Sequence, residues 1–207
     1  MKRVSFQGER GAYSEAAATI FFDEKIETIS CTTFAQVLKN TMDNRSDYSV
    51  LPIENSLEGS VGESNDLLLA TDLNVIGEIY HRIHHCLIGT GSIDDVDTVY
   101  SHPQAFGQCR QFIQKNSLKT IPSYDTAGSV KIIKDLNKSS IACIASNNAA
   151  EIFDVPVIQE GIEDNTNNYT RFLVLSKESI TPESNADGNI KTSIIFSVKH
   201  EAGALYQ

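Results

Sequence analysis

Basic residues are scarce: 17 Lys and Arg stand against 27 Asp and Glu, giving a formal net charge of −10 over 207 residues. A nucleic-acid surface needs clustered Lys and Arg to meet phosphates, so this balance argues against one. Long apolar runs are lacking too, because Asp, Glu, Lys or Asn interrupts each of them well short of a membrane span. No membrane location is expected. The N-terminus runs Met1-Lys2-Arg3 straight into Val4-Ser5-Phe6, without the apolar stretch and small-residue cleavage site of an export signal, so the protein is expected in the cytoplasm.

Metal and dinucleotide signatures are also missing. The four cysteines, Cys31, Cys86, Cys109 and Cys143, lack the short paired spacing of a zinc knuckle or redox motif, and they are expected to be reduced and buried. His81, His84 and His85 lie close in sequence, but strand alternation sends His84 and His85 to opposite faces, and no carboxylate completes a ligand set. Gly8 and Gly11 lack the third glycine and the acidic partner of a dinucleotide-binding turn. Neither metal nor cofactor is expected.

What is present is a globular composition, 41% apolar and 21% charged, sufficient for one large core or two small ones. β-Branched and aromatic runs predict strands over Arg3 to Gln7, Ile26 to Ser30, Tyr48 to Ile53, Val75 to Ile88, Thr98 to His102, Lys119 to Ser123 and Ile141 to Ala145. Apolar spacing and capping predict helices over Tyr13 to Phe22, Phe34 to Met42, Glu63 to Ala70, Pro103 to Lys115, Asp125 to Asn137 and Asn147 to Phe153. Strand and helix alternate as in a parallel α/β sheet. The extended runs Leu73 to Gly89 and Tyr169 to Ser176 could each cross between two lobes, which would place a binding cleft at the lobe interface. The expected division is a first lobe of residues 1–77 with 166–177 and a second lobe of 78–165. A linker rich in Ser, Thr, Pro, Asn and Gly follows at 178–190, and a new strand pattern, Thr192, Ile194, Phe196 and Val198, begins a further domain at 191–207. That apolar alternation is expected to be mobile or to pair with another chain.

Three strand ends carry function-capable side chains. Pro52-Ile53-Glu54-Asn55-Ser56-Leu57-Glu58-Gly59-Ser60-Val61 places polar groups between an apolar strand and a helix, either as an Asx-type turn or as a ligand site. Its Asn55 has both a donor and an acceptor. Ser101-His102-Pro103-Gln104-Ala105-Phe106 repeats the pattern, although His102 alone reads as well as a structural histidine and Gln104 as a solvated first-turn residue. Asn168-Tyr169-Thr170-Arg171-Phe172 enters a strongly apolar strand, and its arginine fork suits either a carboxylate ligand or a strand-end ion pair.

Together with Gly8 to Ala17 and Asp125-Thr126-Ala127-Gly128, these segments resemble prephenate dehydratases in order and spacing along nearly the whole chain. Pro-Ile-Glu-Asn-Ser, Ser-His-Pro-Gln-Ala and Thr-Arg-Phe in one chain form a specific combination. The resemblance implies a two-lobed fold like that of periplasmic binding proteins, with the active cleft between the lobes. It also implies a cofactor-free conversion of prephenate to phenylpyruvate for phenylalanine biosynthesis, with loss of carbon dioxide and water. Thr170 is then expected to bond the leaving hydroxyl, Arg171 to anchor a substrate carboxylate and Phe172 to form an apolar wall. Asn55, Ser56, His102 and Gln104 would position the substrate. His200 to Tyr206 looks like the start of the regulatory ACT domain, and a homo-oligomer, dimer or tetramer in the full-length form, is implied. Phe106 and Ala202 depart from the common leucine and proline of the family. The His84-His85-Cys86-Leu87 segment is similar to plant-type members, many of which prefer arogenate, so either acid could be the substrate. A non-catalytic binding module on the same scaffold is the reading from another class.

Overall fold

The computed structural model describes residues 1–179, 191, 194 and 201–204. Most of the expected linker and most of the expected alternation beyond Lys191 lie outside these described residues, as do His200, Leu205 and Tyr206 of the expected further domain. Two sheets divide the chain. The first has the order β2-β1-β3-β11-β5, formed by β2 (Glu27–Cys31), β1 (Arg3–Gln7), β3 (Tyr48–Asn55), β11 (Tyr169–Ser176) and β5 (Asn74–Arg82), with the short β4 (Gly59–Ser60) on β3. The second has the order β10-β6-β9-β7-β8, from β10 (Val157–Glu160), β6 (Cys86–Gly89), β9 (Ile141–Ala145), β7 (Thr98–Ser101) and β8 (Lys119–Pro122).

Each sheet is covered on both faces, which is why its central strands are continuous apolar runs and not alternating ones. In the first lobe, α1 (Tyr13–Phe22) packs Ala17, Ala18 and Phe21 against Val4, Val50 and Val174. On the other face, α2 (Phe34–Met42) and α3 (Gly62–Leu69) bring Leu38, Leu67 and Leu68 onto Leu51, Leu173 and Leu175. In the second lobe, α6 (Gly128–Leu136) and α7 (Asn147–Phe153) pack Val130, Ile133 and Ala149 on Cys86, Ile88 and Cys143. Across that sheet, α4 (Pro103–Gln108) and α5 (Arg110–Lys115) enclose Leu87, Val99 and Ile144. All four cysteines are free and buried, and burial pushes the Cys86 thiol up to about 11 and that of Cys143 to about 12, so both are inert thiols.

The two-lobed α/β fold is therefore present, with three corrections to its details. The sheets are mixed, because β11 runs antiparallel to both β3 and β5, and β6 runs antiparallel to β9 and β10. The run from Val75 to Ile88 is not one strand: β5 ends at Arg82 and β6 begins at Cys86 in the other sheet. Residues 78–82, assigned from the sequence to the second lobe, thus belong to the first sheet, and the chain crosses at Ile83 to His85. The helix predicted over Pro103 to Lys115 breaks at Cys109, whose backbone is non-helical (φ −120°, ψ 28°). Among the described residues no helix is long and apolar enough to cross a membrane.

Candidate active site in the cleft

A cavity of about 460 Å³ lies between the lobes, within the size range of small-molecule sites. It is lined by the ends of strands and the starts of helices, as open α/β sheets dictate. Gly11 to Ser14 open α1, Phe34 opens α2, Val61 precedes α3, His102 and Gln104 open α4, Thr126 and Ala127 precede α6, and Ser146 caps α7. No Lys or Arg is among the lining residues, whose only carboxylates are Glu58 and Asp125. First-turn N–H groups and helix dipoles at these starts are the groups there that favour an anion, against the two carboxylates.

Five of the seven residues singled out from the sequence meet here: Asn55, His102, Gln104, Thr170 and Phe172 all line the cavity. The strand geometry explains how. On β11, Thr170 and Phe172 are two apart and share a face. On β3, Pro52 and Asn55 are three apart, yet both line the cavity, because the β3–β11 register shifts between Arg171 and Phe172. That irregularity turns Asn55 toward Thr170, the kind of re-aiming that bulges perform beside functional sites.

The hydrogen bonds around Asn55 fix the direction of each donor. Its Oδ1 accepts from the N–H groups of Leu57 (2.9 Å) and Glu58 (3.1 Å), so its Nδ2 must be the amide end that faces Asn168 and Thr170. Nδ2 donates to Asn168 Oδ1 at 2.8 Å and to Thr170 Oγ1 at 3.0 Å. Thr170 therefore receives a hydrogen bond on its oxygen and keeps its own proton for a partner in the cavity. His102 caps α4, its Nδ1 accepting from Gln104 N at 3.3 Å, with Pro103 in the first turn.

Two expected residues fall elsewhere. Arg171 sits between Thr170 and Phe172, so alternation places it on the other face, where its Nε and Nη2 donate to Glu78 at 2.8 and 2.7 Å and its Nη1 lies 3.9 Å from Glu54. It does not line the cavity; the strand-end ion pair is the arrangement found. Ser56 fastens β3 to β11, its Oγ donating to Asn167 O (3.0 Å) and accepting from Tyr169 N (2.9 Å).

The sequence reading missed a polar chain beside the cavity. Glu58 accepts from the side-chain amides of Gln104 and Gln108, the latter at 2.9 Å. Gln108 Oε1 lies 2.7 Å from His85 Nε2, and His85 Nδ1 lies 3.0 Å from Tyr13 Oη, which donates to His84 O at 2.8 Å. Burial pushes the His85 pKa down, against a smaller upward pull from Gln108, and burial pushes the Tyr13 hydroxyl well up. Tyr13 lies in the Gly8 to Ala17 segment and Gln108 in the helix predicted over Pro103 to Lys115, but only their proximity across the fold separates them from ordinary helix residues. A carboxylate does approach the histidines: Glu163 lies 2.8 Å from His84 Nδ1 and accepts from His85 N. Among the described residues no group of three or more His, Cys, Asp or Glu side chains could hold a metal.

Residues 4–180 match the family described as Prephenate dehydratase. The chain is 38% identical over 207 residues to arogenate dehydratase/prephenate dehydratase 1, chloroplastic, of Arabidopsis thaliana, covering 99% of this chain and 52% of that protein. Among solved structures, the quorum quenching acylase GqqA superposes with a TM-score of 0.79 at 32% identity, covering 87% of this chain and 66% of that one. The prephenate dehydratase of Arthrobacter aurescens in complex with L-Phe gives 0.79 at 26% identity, covering 87% and 62%. The chain spans about half the length of the curated relatives it matches, 52% of the Arabidopsis protein. With its family match running through both lobes and the cleft between them, this chain belongs to the prephenate dehydratase family.

Proposed function

We propose that the protein catalyses the decarboxylating dehydration of prephenate to phenylpyruvate, with arogenate as the alternative substrate. The observation that carries this reading is the oriented pair Asn55–Thr170, which leaves one hydroxyl proton free at the wall of a cavity of small-molecule size. As the ring carboxylate leaves as carbon dioxide, its electron pair enters the ring and expels the hydroxyl on the far carbon. The departing oxygen gains negative charge and becomes water on taking a proton from the solvent. Thr170 donates its hydrogen bond to that oxygen; a threonine hydroxyl is too weak an acid to act as a free proton donor, so its role is to stabilise developing charge. Phe172, Pro52 and Phe34 supply apolar walls for the ring. The carboxylates rest near the starts of α1, α3 and α6, with His102 and Gln104 beside them, so no arginine is needed in the cavity.

A hydrolytic reading, the activity in the name of GqqA, has less support. Ser146 in the cavity wall donates to Gly11 O (2.8 Å) and accepts from Ala149 N (3.0 Å), so it is committed to structure and not paired with a base. As part of this proposal the protein works as a homo-oligomer, a state that sedimentation velocity would report. The test of activity is to supply prephenate and arogenate separately, without added metal, and to measure phenylpyruvate, phenylalanine and carbon dioxide. Equimolar carbon dioxide and one aromatic product are expected. A folded sample that consumes neither acid would contradict the reading.

A further inference from the structure

We propose that Glu58 is a positioning residue that latches the two lobes across the cleft and holds Gln104 in place. Its kinetic readout rests on the dehydratase reading above; its structural readout does not. Glu58 sits on the turn between β3 and β4, and that turn is fixed from below. Gly59 adopts φ +83°, and Asn55 Oδ1 accepts the N–H groups of Leu57 and Glu58. The same Asn55 holds Thr170, so the turn carrying Glu58 and the hydroxyl proposed to meet the substrate share one anchor.

From this turn the carboxylate reaches α4 in the other lobe. One oxygen accepts from Gln104 Nε2 and the other from Gln108 Nε2 at 2.9 Å. The match is chemical as well as geometric, since two amide donors meet two acceptor oxygens, and a charged acceptor strengthens both bonds. Glu58 can only accept, so Gln108 turns Nε2 toward it and Oε1 toward His85 Nε2, 2.7 Å away. A glutamine at position 58 would offer one acceptor and turn an NH2 group toward an NH2 group. The latch therefore requires a carboxylate, and its loss lowers the closed fraction of the protein. Substrate affinity falls by the same factor, because apparent affinity scales with the fraction of molecules in the competent state.

The experiment uses the full chain as wild type, Glu58→Gln, Glu58→Ala, Gln108→Ala and the double variant Glu58→Ala/Gln108→Ala. Small-angle scattering without substrate reports cleft opening, and steady-state kinetics report KM and kcat. If removal of the latch cuts the closed fraction to about a tenth, KM rises about tenfold in both Glu58 variants while kcat stays within about threefold. The radius of gyration increases in both, and Gln108→Ala adds nothing to KM once Glu58 is gone. Unchanged scattering in the Glu58 variants, or KM effects that multiply in the double variant, would overturn the latch. If the wild type turns over neither acid, the dehydratase reading fails while scattering alone still decides the latch.

Discussion

Thr170 has a single hydroxyl proton, and what its oxygen accepts decides where that proton can go. Asn55 takes the accepting role away from chance, because two backbone N–H groups hold its Oδ1 and force Nδ2 toward Thr170. Asn55→Asp would preserve the backbone contacts but present an acceptor to Thr170, which would then donate to the new carboxylate and not to the substrate. We expect kcat to fall by about 10²-fold or more in a protein whose circular dichroism is unchanged; a kcat within about threefold of wild type would show that the hydroxyl does not need this orientation. Arg171 was the residue whose motif was legible and whose placement was not. Its sequence neighbours Thr170 and Phe172 take the cavity face, leaving the guanidinium, with about a quarter of its side chain exposed (23%), on Glu78. Arg171→Met is predicted to cost about 1 kcal/mol of stability, the scale of a partly solvated ion pair, with KM changed less than about threefold. A tenfold rise in KM without loss of stability would instead assign it to substrate.

The two segments joining the lobes, residues 83–85 and 161–168, are tied together by Glu163. Its carboxylate, 1% exposed, accepts from His85 N at 3.0 Å, lies 2.8 Å from His84 Nδ1 and is 3.7 Å from Arg82 Nη2. Burial alone would raise its pKa, but hydrogen bonds from its own backbone, His85 N–H and His84 outweigh that and leave it below the ordinary 4.5. A carboxyl with a depressed folded pKa stabilises the fold fully above its unfolded value and loses that contribution as pH falls through the folded one. His85 acts in the same sense: burial lowers its pKa from 6.5, so acidification below that value favours the unfolded chain, which takes the proton more readily. Stability should therefore decline in steps below about pH 6.5 and again below about pH 4.5, and Glu163→Gln should shrink the second, to which Asp47 and Glu78, lowered by their bonds to Arg3 and Lys191, also contribute. Equal acid sensitivity of the variant and the wild type in denaturant titrations would argue against this role for Glu163. These joining segments were also where element reading failed. β1, β9, α1, α2 and α7 were legible to the residue, since each buries an apolar face bounded by clear caps or turn residues. The break at Ile83 to His85 lay hidden inside a continuous extended pattern, because no Gly, Pro, Asn, Asp or Ser marks it. β4, two residues long, and β10, which follows Pro156 and carries two polar residues in four, gave no periodic signal.

At the scale of the whole molecule, two lobes with separate cores meet over a narrow set of close contacts. Gly11 packs so near α7 that a Cβ there would lie 2.6 Å from Ala149 Cα, and its φ is +88°; Gly59, at φ +83°, has nothing within 4 Å of the same position. The pair separates backbone strain from lobe packing. Gly59→Ala should cost roughly 1 kcal/mol from conformation alone, whereas Gly11→Ala adds a clash with backbone and should cost roughly 2–5 kcal/mol, read as the difference in thermal unfolding. Equal costs would mean that the lobes yield freely at this contact. This approach explains Gly11; Gly8 answers to its own backbone, at φ +112°. Two lobes and a cleft were legible because extended runs bracketed the helical ones. The mixed strand directions were not, since they depend on β11 returning to the first sheet from 87 residues beyond β5, a pairing no local pattern encodes. The account as a whole turns on the Thr170 hydroxyl, and the most direct measurement is kcat on prephenate for Thr170→Ser beside Thr170→Ala. The serine variant, which keeps the hydroxyl, should stay within about tenfold of wild type, and the alanine variant should fall by about 10²–10³ with its fold intact. Wild-type turnover by the alanine variant would contradict the account.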